Sequence, residues 1–506
     1  MNTPVRWDSP ATPPVGASEP ARKRLVGVVL VIYLLAIFEG ALRKYAFPEF
    51  GQYIFFIRDP VLVYAYLLAT RHGLWPRHSA NFKFSVFLCG FGLLLFGLQS
   101  VLGSFSEHRL LLGVYGWRSY FLYIPLAFLV GEQFRTADLV RFAKITLLLA
   151  VPIAVLVGMQ FFSHVNDVIN VGTAEETELK FKGMYVTAAH VRPAGPFTSN
   201  AGQQQFVTSA FAMLLAFLIA PSQRRKVGLL ILVPAAAGIM SCVALSGSRG
   251  TMLQTAMIAM FALSMGFVGR GAALKAKAFA LPAAMAAAAI VLYPVVFPEG
   301  FEAFVARWNA ADAYESRGFE WGVFGRALYS VIDFLRLVDD TPILGYGLGF
   351  GGNASHILGA TVDGVKPSSL VETDYARHMV DLGPVVGICF IAYRVTLVVW
   401  LARMVLAATR RAPDPLPMML FAYVFYVVLQ AQITGNGSIN VYGWLFMGLC
   451  IAAAREALRS NQTAAVVIGA TTEAPRYRPA WLSRPPVDRS ATPRRPMSSR
   501  PGAHAR

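Results

Sequence analysis

Apolar residues run along this chain in long unbroken blocks, without the strict alternation of a half-buried strand. A helix needs about 20 apolar residues to cross a bilayer. Blocks bounded by charge predict twelve spans, at about residues 25–42, 54–70, 84–103, 119–131, 142–162, 204–220, 227–245, 251–268, 278–297, 379–401, 418–433 and 439–454. The fourth is short for the thickness of a bilayer. Barrel strands alternate and these blocks do not, so a barrel is excluded, and the fold class is an all-α polytopic membrane protein.

Polar intervals divide the spans unevenly. RKR at 22–24, the link at 71–83, EQFRTADLVR at 132–141, PSQRRK at 221–226, GRGAALKAK at 269–277 and ATRR at 408–411 fall on alternate links, all on one side. Basic loops stay cytoplasmic, so both termini are expected there. The longest polar segments, 163–203 and 298–377, and the SGSRG hairpin at 246–250 then share the outer face. Residues 1–24 and 456–506, rich in Pro, Ser and Arg, read as disordered cytoplasmic tails flanking a membrane domain at 25–455.

Composition agrees with this layout: of 506 residues 56% are apolar and only 14% charged. The excess of 45 Lys and Arg over 28 Asp and Glu would suggest nucleic acid as the partner of a soluble protein. Here the basic links facing anionic lipid account for it, and membrane lipid is the expected partner. Cys89, Cys242, Cys389 and Cys450 each lie inside an apolar block and read as packing residues, with neither disulfide nor metal implied.

Candidate chemistry lies in the outer segments. Arg249, among small residues in SGSRG, could grip a phosphate bidentately or snorkel as an interface anchor. In HVRPAGPFTSNAGQQQF, 190–206, Arg192 precedes a helix capped by Ser199 or Asn200, so the arginine and the helix amino terminus could face one anion; an ordinary loop leading to a capped helix is the other reading. TPILGYGLGFGGN, 341–353, matches a dinucleotide fingerprint in spacing, but that motif needs a preceding strand in a βαβ unit. Gly345, Gly347 and Gly349 instead predict a tight backbone path across the mouth of the bundle. Downstream, Glu372, Tyr375 and His378 crowd the approach to the tenth span, where a carboxylate or imidazole could act as general base or serve as a solvated helix entrance. The aromatics Trp308, Tyr314, Phe319, Trp321 and Tyr329 could stack on sugars or form an amphipathic cover on the membrane.

In their order and sidedness RPAGPFTSN, SGSRG, the late outer loop, PILGYGLG and DLGPVVG resemble the O-antigen ligase and O-antigen polymerase superfamily. The early stretch FEGALRKYAFPEFGQYIFFIRDP, 38–60, is similar to its exopolysaccharide polymerase-type members. The resemblance implies a GT-C-like helical bundle in the bacterial inner membrane, a metal-independent glycosyltransferase that needs no cofactor. Its donor would be a glycan linked to undecaprenyl diphosphate, with a chain-length regulator and a flippase as further partners. Arg192 and Arg249 match the family's diphosphate-binding arginines. Where ligases carry a His-Asn pair this chain has Glu372, while Tyr375 keeps its place; the base is left between Glu372 and the displaced His378. The polymerase is the leading expectation, a ligase acting on lipid A-core the near alternative, and a non-enzymatic flippase for lipid-linked sugar the alternative of another class.

Overall fold

The computed structural model describes residues 19–102, 107–171, 190–220, 226–269, 272–318, 322–352, 355, 371 and 373–472. In chain order the first helices are α1 (Glu19–Ala41), α2 (Arg58–Arg71), α3 (Ala80–Leu102), α4 (Glu107–Trp117), α5 (Ile124–Gln133), α6 (Thr136–Phe162) and α7 (Asn200–Ile219). They are followed by α8 (Leu229–Leu245), α9 (Arg249–Val268), α10 (Ala272–Val296), α11 (Pro298–Gly318), α12 (Gly322–Ile332), α13 (Asp374–Arg411), α14 (Leu416–Leu429) and α15 (Gly437–Thr472). No described element is a strand. Residues Met1–Asn461 form one compact unit; in the second, Gln462–Arg506, the described residues 462–472 are helical.

Eight helices, α1, α3, α6, α7, α9, α10, α13 and α15, are long and apolar enough to cross a membrane, and α8 and α14 are shorter apolar helices. The chain is therefore a polytopic α-helical membrane protein. Of the other expected spans, 54–70 is occupied by α2, which opens on Arg58 and Asp59, and 119–131 by a π-helical turn, Arg118–Leu122, leading into α5.

Enclosure separates the helices into a centre and a rim. Nearly all of α7 and of the apolar part of α15 is buried, whereas α3 and α10 leave most side chains facing outward. In lipid an outward Leu or Phe costs nothing, so Leu94, Leu98, Ile290 and Val295 are exposed without penalty. At the centre Tyr33, Phe142, Tyr442 and Phe446 stack together, and the Tyr423 hydroxyl donates to Gln205 Oε1 at 2.7 Å.

The first and last described helices are tied to the rest of the bundle by ion pairs. In α1 Arg22, of the basic triplet, is held by Glu19, by the Gln133 carbonyl and by Asp138. α15 continues through Arg455, which pairs with Glu132, and on to Thr472. Arg135 reaches Glu19 at 3.1 Å and Thr136 donates to Glu456 at 3.1 Å, so the starts of α1 and α6 and the Glu456 turn of α15 share one end of the bundle. The opposite end gathers the turn between α1 and α2, the approach to α7, the hairpin between α8 and α9, the turn after α12, the start of α13 and the turn between α14 and α15.

Candidate functional site

At that opposite end the approach to α7 is tied down before it reaches the helix. Gln160 clamps both backbone groups of Gly195, accepting from its N–H at 2.7 Å and donating to its carbonyl at 3.3 Å. Asn200 holds the Arg192 carbonyl at 3.3 Å. Gly40 of α1 lies against the backbone of Pro196–Thr198, so closely that an added Cβ would stand 2.4 Å from it. Ser199 takes the N-cap position with extended backbone, but its hydroxyl makes no capping bond and is buried without a hydrogen-bond partner among the described residues.

The start of α9 lies beside the start of α7. Gln204 donates to Gln254 Oε1 at 3.1 Å, and Gly250 packs on the Gln204 side chain. Ser248 caps α9 by accepting from Thr251 N at 3.3 Å. Arg249 rests with its guanidinium carbon 5.8 Å from the ring centre of Trp308 on α11. Arg192 and Arg249 thus stand at two neighbouring helix amino termini, whose free N–H groups add partial positive charge. Of the other expected stacking residues, Phe319, Trp321 and the Tyr314 side chain lie outside the described residues, and Tyr329 is on α12.

The glycine turn docks into the start of α13. Gly345, Gly347 and Gly349 have φ of 72°, 130° and 83°. α13 is broken at Gly383, φ 79°, just before Pro384. A Cβ on Gly383 would stand 2.1 Å from the Ile343 carbonyl oxygen, and one on Gly345 would stand 2.6 Å from Gly383 N. Two backbones pass here with no room for a side chain on either. Gln99 of α3 completes the joint, donating to Leu344 O at 2.6 Å and Asp381 O at 2.9 Å while accepting from Leu348 N at 3.0 Å.

Beneath this turn lies a closed group of charges. Asp374 accepts from Arg394 at 2.6 Å, from Arg377 at 3.0 Å and from the Thr434 hydroxyl at 2.8 Å. Arg394 spends its remaining donors on the carbonyls of Val428, at 2.7 Å, and Ala431, at 3.0 Å. Its Nη1 also donates to His378 Nε2 at 2.9 Å, which puts the imidazole proton on Nδ1, facing the Tyr120 hydroxyl at 3.1 Å; Tyr120 in turn donates to Asp381 at 3.1 Å. His378 is 0% exposed.

The three expected catalytic residues therefore part company. His378 is walled in by Arg394, Tyr120 and Phe390 and offers no ring nitrogen to a sugar. Tyr375 donates its hydroxyl to the Leu429 carbonyl. Glu372 lies outside the described residues, immediately before Thr373, the cap of α13.

A second charged group escaped the reading by residue spacing. Glu39, Arg43, Arg58 and Asp59, all within FEGALRKYAFPEFGQYIFFIRDP, meet Arg118 of the π-turn around Phe55. Arg58 also donates to the Gly437 carbonyl at 3.2 Å, so the turn between α14 and α15 touches both groups. The available signal was the density of charge beside apolar blocks, since an ionised residue near hydrocarbon needs a partner.

No family model matches the chain, and no curated protein matches it.

Proposed function

We propose that this protein is a membrane glycosyltransferase that polymerises undecaprenyl-diphosphate-linked repeat units into exopolysaccharide or O-antigen at the outer face of the bacterial inner membrane. The observation that carries this reading is that the helix starts of α7 and α9 adjoin, with Arg249 opening α9 and the Arg192 backbone held by Asn200 of α7, on the same end of the bundle as the start of α13. In this reading α2 and α5, completed by their flanking turns, are crossings too, giving a GT-C-like bundle of about twelve spans with both tails cytoplasmic.

The chemistry asks for little beyond what these residues supply. An acceptor sugar hydroxyl attacks the anomeric carbon of the donor; the new C–O bond forms as the bond to the diphosphate breaks, and polyprenyl diphosphate leaves with the electron pair. Two guanidinium groups and two helix termini stabilise the charge that develops on the departing oxygen, the kind of preorganised electrostatics that commonly dominates catalysis. A base takes the hydroxyl proton. The enclosure of His378 favours Glu372, which adjoins the cap of α13, for that role.

Arg249→Ala tests the reading: long-chain polysaccharide disappears while the protein stays in the membrane, and an unchanged chain-length distribution would refute the enzyme. Purified protein given lipid-linked units and no energy source then separates the alternatives. Chain extension supports a polymerase, transfer without extension a ligase, and neither a transporter.

A further inference from the structure

The group around Phe55 is not closed as the Asp374 group is. Guanidinium carbons of Arg43 and Arg118 lie 5.4 and 4.7 Å from the centre of the Phe55 ring. Glu39 is shared between Arg43, at 3.5 Å, and Arg58, at 2.7 Å. Both oxygens of Asp59 are used, one by Arg118 Nε and the other by the Tyr123 hydroxyl at 2.7 Å. Nη2 of Arg118 is left sealed from solvent with no hydrogen-bond partner among the described residues, although the residue is only 6% exposed. A buried guanidinium donor without an acceptor is costly, and an anion entering beside it removes that cost.

The turn beside the group narrows the kind of anion, since the Arg118 guanidinium carbon also lies 5.2 Å from the centre of the Phe56 ring. The turn that carries Phe55 exposes Phe47, Phe50, Tyr53 and Phe56. Cations beside a turn with exposed aromatic rings fit an amphiphile, charged at its head and apolar behind it, better than a free ion. We propose that Arg118, with Arg43 and Arg58, holds the phosphate headgroup of a lipid. Resting on the polymerase reading, that lipid is the acceptor: joining two lipid-linked units brings two diphosphates to one end of the bundle. One leaves beside Arg192 and Arg249, and the other stays on its unit and needs cations of its own.

Counting bound farnesyl diphosphate on the full-length protein in nanodiscs by native mass spectrometry tests this. The wild type takes two equivalents per chain, and Arg118→Gln and Arg249→Ala each take one. A single equivalent on the wild type, or two on Arg118→Gln, overturns the site. Should Arg118→Gln not fold, Phe50→Ser, outside every ion pair, weakens the second equivalent about tenfold through lost apolar contact and leaves inorganic diphosphate binding unchanged. Equal binding of farnesyl and inorganic diphosphate, insensitive to Phe50→Ser, makes this a free-anion site and overturns the lipid assignment. Displacement of the second equivalent by phosphatidylglycerol overturns the acceptor assignment. Joining activity separates the two ideas: a wild type that joins units while Arg118→Gln keeps both equivalents refutes the site alone, and a wild type that binds two and joins none refutes the polymerase alone.

Discussion

Asp374 and Asp59 sit at the same end of the bundle, each in direct contact with arginine, yet they belong to groups finished to different degrees. Every guanidinium nitrogen of Arg394 has an acceptor, and Asp374 collects two guanidinium groups and a hydroxyl. Arg118 keeps one donor idle. A buried polar network that is complete specifies a geometry, whereas an incomplete one is unstable unless something else joins it. The first group thus reads as the fastening that holds the glycine turn and the turn after α14 to α13. The second leaves a buried donor still to be met.

The largest effect should come from breaking the complete group. Asp374→Asn keeps the shape but strands Arg394 and Arg377, at a cost of about 3–5 kcal/mol, seen as loss of folded protein from the membrane or a sharply lower unfolding temperature in detergent. If Arg118→Gln lowers stability as much, the contrast between the two groups fails. Gly383→Ala comes next. Its φ of 79° alone costs about 1–3 kcal/mol in a residue with a side chain, and the added carbon meets Ile343 O. Thermal unfolding should show the loss with Asp374 and its partners intact, which separates the joint from the charges. The smallest test compares two helix starts. Thr373→Ala removes an accepted bond from Ala376 N, 3.1 Å long, and should cost about 1 kcal/mol. Ser199→Ala removes no capping bond and should leave the unfolding temperature unchanged; an equal loss there would mean the Ser199 hydroxyl is engaged after all.

The apolar blocks were legible because hydrocarbon thickness and the need to satisfy every backbone group leave a chain few options. Contacts at one end of the bundle join segments that the alternate basic links group together: Gly40 with Phe197, Gly116 with Gly349, Arg249 with Trp308. Spacing failed where pairing is distant. Glu39, Arg58 and Asp59 look in sequence like charges at the edges of two spans, and their meaning comes from Arg118 and Gly437. For His378, helix periodicity places it one turn after Asp374 but is silent about Arg394, which arrives from beyond the kink and closes the ring off. Thr373 rather than Glu372 precedes the first helical residue, because Thr373 can cap and also donate to Asp333 at 3.3 Å.

The turn between α14 and α15 has a bearing on how the protein is made. Arg394 depends on the carbonyls of Val428 and Ala431, Asp374 on Thr434, Arg58 on Gly437, and Ser119 O on Asn440. A nascent chain inserting from its amino terminus therefore carries Arg58 paired with Glu39, and Arg394 paired with Asp374, into the membrane before the ribosome has supplied the carbonyls and the hydroxyl that anchor them. The last hairpin to be synthesised locks this end of the bundle, so a chain cut short before residue 428 retains most of its membrane helices and none of this closure.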